Sequence, residues 1–166
     1  MHQNGQALQF ASDDLRNKEN IVLAAVKQDG KALQYASADL RNNKEVVLAA
    51  VNQNTTYALE YASADLRNDK EFVLAAVKQD GRALGYASAD LRNNPEIVLA
   101  AVKNSYGRAL LFASDELRND PKVVLAAVNQ NGWALGYASD DLKRLQRLSL
   151  LLCIRMVRHF NSLVTT

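Results

Sequence analysis

The stretch KALQYASADLRNNKEVVLAAVNQN, residues 31–54, returns with small changes along nearly all of the 166-residue chain. Its anchor leucine falls at Leu8, Leu33, Leu59, Leu84, Leu110 and Leu135, in steps of 25, 26, 25, 26 and 25 residues. The alternation makes 51 residues the longer period, and the added residue always enters the linker, NQNTTYAL or KNSYGRAL against KQDGKAL. A fixed period of this size is the signature of a repeat architecture, in which each unit is one supersecondary element.

Within a copy the apolar spacing predicts two short helices. Ala32, Leu33, Ala36 and Leu40 fall at i, i+1, i+4 and i+8 and share one face of the first. Val46, Val47, Ala50 and Val51 give the second a wide apolar face that expects neighbours on more than one side. The β-branched VVLAAV run is ambiguous with a strand, but its start signals favour helix. Asn43, Asp69, Asn94 and Asp120 stand at N-cap positions, with Pro95 and Pro121 at the first helical position after two of them. Gly30, Gly81 and Gly132 read as C′ glycines closing this helix. Helices of roughly ten residues do not hold alone and must stack on neighbouring copies. The expectation is an all-α, right-handed α-solenoid of two-helix repeats over residues 1–142, in six copies of which the first lacks its preceding helix. Residues 143–166 form a separate, divergent segment.

The pattern ALxYASxDLRNDxEVVLAAVxQxG, present as ALEYASADLRNDKEFVLAAVKQDG at 58–81, resembles the repeat of a domain of unknown function, DUF4116, over residues 1 to about 142. The resemblance implies a helical repeat scaffold and carries over no catalytic residue.

A composition of 48% hydrophobic and 23% charged residues fits an ordered soluble domain. The single cysteine, Cys153, has no partner for an internal disulfide, and no apolar signal-type stretch follows Met1, so a reducing, intracellular (cytoplasmic) setting is the default expectation. The net charge of +2 is unevenly spread. Residues 143–166 hold five basic side chains and no acidic one, leaving 15 basic and 18 acidic in residues 1–142, a balance of −3. A body of that sign lacks the cationic groove that nucleic acid requires. His2 and His159 stand at opposite ends of the chain, no GxxxxGK or dinucleotide fingerprint occurs, and nothing singles out one carboxylate pair. The expectation is therefore a protein that is not an enzyme, with no cofactor and no metal site.

Three positions of the first helix vary while the apolar ones hold. They are Gln6, Lys31, Tyr57, Arg82, Arg108, Trp133; then Gln9, Gln34, Glu60, Gly85, Leu111, Gly136; then Asp13, Ala38, Ala64, Ala89, Asp115, Asp140. Spaced i, i+3, i+7, they form one stripe pointing away from the Leu33 and Leu40 face. A fixed scaffold with a variable stripe suits binding of a protein partner, and Lys31, Tyr57, Arg82, Arg108, Leu111 and Trp133 are the candidate contact residues. Neutral drift on a solvated face is the competing reading.

The recurrent aromatic (Phe10, Tyr35, Tyr61, Tyr86, Phe112, Tyr137) reads as packing between copies rather than a stacking ladder for bases or sugars. Asp39 and its equivalents fall near the predicted end of the first helix, where the helix dipole disfavours a carboxylate. The recurrent arginine (Arg16, Arg41, Arg67, Arg92, Arg118) is the expected compensating partner, or else a turn hydrogen bond. Ser37, with an acid two residues on, superficially suggests a nucleophile, but no histidine accompanies it.

As a helix, 143–166 would set Lys143, Arg144, Arg147, Arg155 and Arg158 against Leu145, Leu152, Met156 and Phe160. A cap on the last copy, an out-of-frame or truncated end, and a membrane or partner contact all remain open, the last being the only route to a membrane. The abrupt start and the altered end suggest a piece of a longer array, with self-association through uncapped faces. A purely architectural spacer is the alternative to partner binding.

Overall fold

The computed structural model describes residues 5–53 and 55–144. The tail from 145 onward, the side chain of Tyr57, Cys153 and both histidines lie outside the described residues. The chain is an all-α repeat solenoid. Five long helices, Glu19–Val26, Lys44–Gln53, Lys70–Gln79, Pro95–Lys103 and Pro121–Gln130, form one layer in which each touches the next. The other layer consists of 3-10 segments, Gly5–Phe10, Gly30–Tyr35, Gly81–Tyr86, Arg108–Phe112 and Gly132–Tyr137, with the α-helix Thr55–Tyr61 in the place of one of them. These too touch in sequence. Among the described residues no helix is long and apolar enough to cross a membrane.

The core lies between the layers. Leu33, Leu59, Leu84 and Leu110 are wholly buried, as are Val46, Val47, Ala50 and Val51 on one long helix. The N-caps fall where the sequence places them. Asn43 accepts from the Glu45 and Val46 amides at 2.9 and 3.2 Å, and Asp69, Asn94 and Asp120 do the same service for the helices they precede. Pro95 and Pro121 occupy the first helical turn.

Four local expectations are corrected. The predicted first helix is broken into a 3-10 segment, an extended pair such as Ala36 and Ser37, and a single α-turn such as Ala38–Arg41. Ser37 has φ −59 and ψ 160, and its Oγ accepts from the Leu40 amide at 3.3 Å, so a serine starts a new helix where continuity was expected. The break also moves Asp39, which lies in the first turn of that helix, where the dipole favours a carboxylate. The expected Asp39–Arg41 pair does not form among the described residues. Two of the arginines pair instead three residues back, Arg16 with Asp13 at 3.6 Å and Arg118 with Asp115, while Arg41, Arg67 and Arg92 have an alanine there; the buried Nε atoms of all five have no hydrogen-bond partner among the described residues.

The C′ glycines are also reassigned. Asp29, Asp80 and Asn131 are extended and cap the following 3-10 segment, accepting from the amides of Lys31, Arg82 and Trp133 at 2.9–3.0 Å. At Gly81 the missing side chain serves close approach, whereas a Cβ on Gly132 would meet nothing within 4 Å among the described residues. A Cβ on Gly81 would stand 1.9 Å from the Ala101 carbonyl oxygen of the next long helix.

Candidate functional surface

The seam between consecutive copies is built by the AS…LRN motif. At five junctions a serine amide (Ser37, Ser63, Ser88, Ser114, Ser139) donates to the carbonyl of the preceding copy's arginine at 2.9–3.0 Å. The same serine's hydroxyl donates to the preceding copy's asparagine Oδ1 at 2.5–2.7 Å. It also accepts the amide three residues on, at 3.1–3.3 Å. One residue therefore caps a helix and ties two copies together, which accounts for its recurrence without any nucleophilic role. A second set of ties joins long-helix starts, Lys44 to Asp69 at 2.5 Å and Lys70 to Glu96 at 2.7 Å. The ammonium of Lys44 and the Phe72 amide hold the Asp69 carboxyl below its ordinary range, Lys70 does so for Glu96, and Asp69 raises Lys44.

The outward stripe stands on the 3-10 layer. Trp133 is 88% exposed and Leu111 50%, Arg82 and Arg108 are exposed, and Lys31 is half-buried. The helix break means that the third variable position lies on a separate element, so the stripe is not one helix face. At Gln9 and Gly85 the middle position also faces the next copy, whereas Glu60, Leu111 and Gly136 are exposed. The Tyr35 hydroxyl donates to Gln9 Oε1 of the preceding copy at 3.0 Å, and a Cβ on Gly85 would meet the Phe112 ring at 3.0–3.3 Å. Tyr35, Tyr61, Tyr86, Phe112 and Tyr137 thus pack against the core, Tyr35 and Phe112 being set against the middle variable position of the copy before, while Phe10 is exposed.

Of the candidate contact residues, the structure gathers Arg82 and Arg108 into one open groove of about 510 Å³, together with Asp80, Asn104, Tyr106 and Asn131. Lys31, Leu111 and Trp133 are not part of its lining. Arg82 is braced by Asp80, its Nε reaching Oδ1 at 3.1 Å and its Nη2 reaching Oδ2 at 2.7 Å. Tyr106 is the residue that sequence reasoning missed. It sits at φ 51, followed by Gly107 at φ 79, and Arg108 donates back to the Ser105 carbonyl at 3.1 Å, closing a turn of the I′ kind. An L-residue in the left-handed region costs about 1–2 kcal/mol, yet the Tyr106 side chain is 77% exposed. The available signal was the extra residue of the KNSYGRAL linker, placed directly before a glycine.

Among the described residues no group of three His, Cys, Asp or Glu side chains is arranged to hold a metal. The model of a family described as a domain of unknown function (DUF4116) matches residues 1–41, 18–67, 43–92, 69–106 and 94–143. No curated protein and no solved structure matches the chain.

Proposed function

The chain belongs to the DUF4116 family, and from that premise we propose that it is a non-enzymatic scaffold binding a protein partner along the outward positions of its 3-10 layer. The groove of Arg82, Tyr106 and Arg108 is the anchor of that surface. The observation that carries this reading is Tyr106: a bulky residue held in a costly backbone conformation with its ring in solvent gains nothing from its own packing. A contact made by that ring offsets the cost, and Tyr beside Arg is a composition favoured at the centres of interfaces.

The alternative, an architectural spacer, draws support from the serine seam, which spends the most repeated residues on holding copies together. Affinity capture separates the two. The wild-type chain is compared with a variant in which Tyr57, Arg82, Arg108 and Trp133 are serine, and with Tyr106→Ala, after circular dichroism has established equal folding. A protein retained by the wild type should be lost from the first variant and weakened at least about tenfold, or 1.4 kcal/mol, by the second. Retention of the same set by all three chains removes the groove reading and leaves the spacer.

A further inference from the structure

We propose that the chain associates head to tail with a second copy of itself, Phe10 of one copy seating over Gly136 of the other. The template is inside the molecule. At the junction from Leu84 to Leu110, the Phe112 ring occupies the room that Gly85 leaves by having no side chain. The same pair of residue types stands at the two ends of the described array. Phe10 holds the repeat position of Phe112 but is 83% exposed, whereas Phe112 is half-buried. Gly136 holds the position of Gly85, and a Cβ built there meets nothing within 4 Å among the described residues.

Register and charge agree with this pairing. The Gly85–Phe112 junction is a 26-residue step, and the alternation of the repeat makes the step after Leu135 another of that kind, leading into the series that Leu8 begins. At the internal junction Asn93 Nδ2 donates to Glu116 Oε2 at 2.9 Å. One 51-residue period beyond Asn93 stands Arg144, and two periods before Glu116 stands Asp14, both exposed. A second copy docked in register brings Arg144 to Asp14, so a neutral hydrogen-bond donor is replaced by a cation facing a carboxylate. Ser12, which makes no cap bond with its side chain, brings the amide and hydroxyl that its equivalents give to the preceding copy. Arg144 stands where the seam has asparagine and its guanidinium does not accept from that hydroxyl. The contact therefore keeps the backbone rung and exchanges the Asn rung for an ion pair. Such a contact is heterologous and does not close on itself, so it builds open chains of molecules.

Sedimentation velocity over a concentration series tests this on the full chain. Phe10→Ser spoils the knob and Gly136→Trp the socket, both at exposed positions, with circular dichroism confirming the fold. Each variant alone should associate at least about tenfold more weakly than the wild type. Mixed one to one, they retain one good knob and one good socket, and should form dimers that grow no further. Arg144→Asp should weaken assembly, and Asp14→Arg in the same chain should restore it. A wild-type chain that stays monomeric at the highest attainable concentration overturns the proposal. So does association unaffected by Gly136→Trp, or a mixture that forms no dimers or grows beyond them.

Discussion

Ser88 shows how much one side chain carries. Its amide reaches the Arg67 carbonyl at 2.9 Å, its hydroxyl reaches Asn68 at 2.7 Å, and the same oxygen accepts from the Leu91 amide at 3.3 Å. Ser88→Ala deletes the last two bonds and should cost about 1–2 kcal/mol in urea unfolding. Ser12→Ala, at a serine whose side chain makes no cap bond, should change stability by less than about 0.5 kcal/mol. Tyr106 behaves in the opposite sense. Asparagine tolerates the left-handed region far better than tyrosine, so Tyr106→Asn should stabilise the fold by about 0.5–1 kcal/mol while lowering partner retention. Gain in one assay and loss in the other would show stability exchanged for contact. The recurrence of the serine was plain in the sequence, but its role was not. Its partners stand about 20 positions earlier in the chain, and no local spacing displays them.

The long helices and the segments before them were legible to different degrees. Asn43, Asp69, Asn94 and Asp120 announce helix starts because capping is a contact within four residues. The break at Ser37 was hidden, since Leu33, Ala36 and Leu40 remain buried whether the chain runs as one helix or as a 3-10 segment, a kink and a turn. Ties between long helices should also set the response to acid. Asp69 titrates below its ordinary 3.8 chiefly through Lys44, and Glu96 below its ordinary 4.5 through Lys70. A carboxyl lowered in the folded state stabilises above its unfolded value and loses that contribution as pH falls through the folded one. Thermal stability should therefore drop below about pH 4, near the unfolded carboxyl values. Asp69→Asn keeps a competent cap, as Asn43 and Asn94 demonstrate, and removes the charge. Its melting temperature should be slightly lower at neutral pH, and its loss between pH 7 and pH 3, read by circular dichroism, smaller than that of the wild type.

Across the whole molecule, each copy rests on its neighbours, so stability should depend on position along the array. Leu84→Ala, at a wholly buried site flanked on both sides, should cost about 2–5 kcal/mol. Hydrogen exchange should be slowest in Lys70–Gln79 and Pro95–Lys103, each of which touches a long helix on both sides, and quicken toward Glu19–Val26 and Pro121–Gln130, each of which touches one among the described residues. The two-layer stack could be foreseen from the regular steps between leucines. Which outward residues converge could not, because Arg82, Tyr106 and Arg108 meet only once a linker has turned back on itself. The serine seam also bears on inheritance. Every rung reaches back to the copy immediately before, and every copy offers the same carbonyl and asparagine forward through Asn119. Losing or gaining an internal 51-residue block by unequal recombination would leave each remaining serine with a matching acceptor, so such genes can change copy number without a compensating mutation.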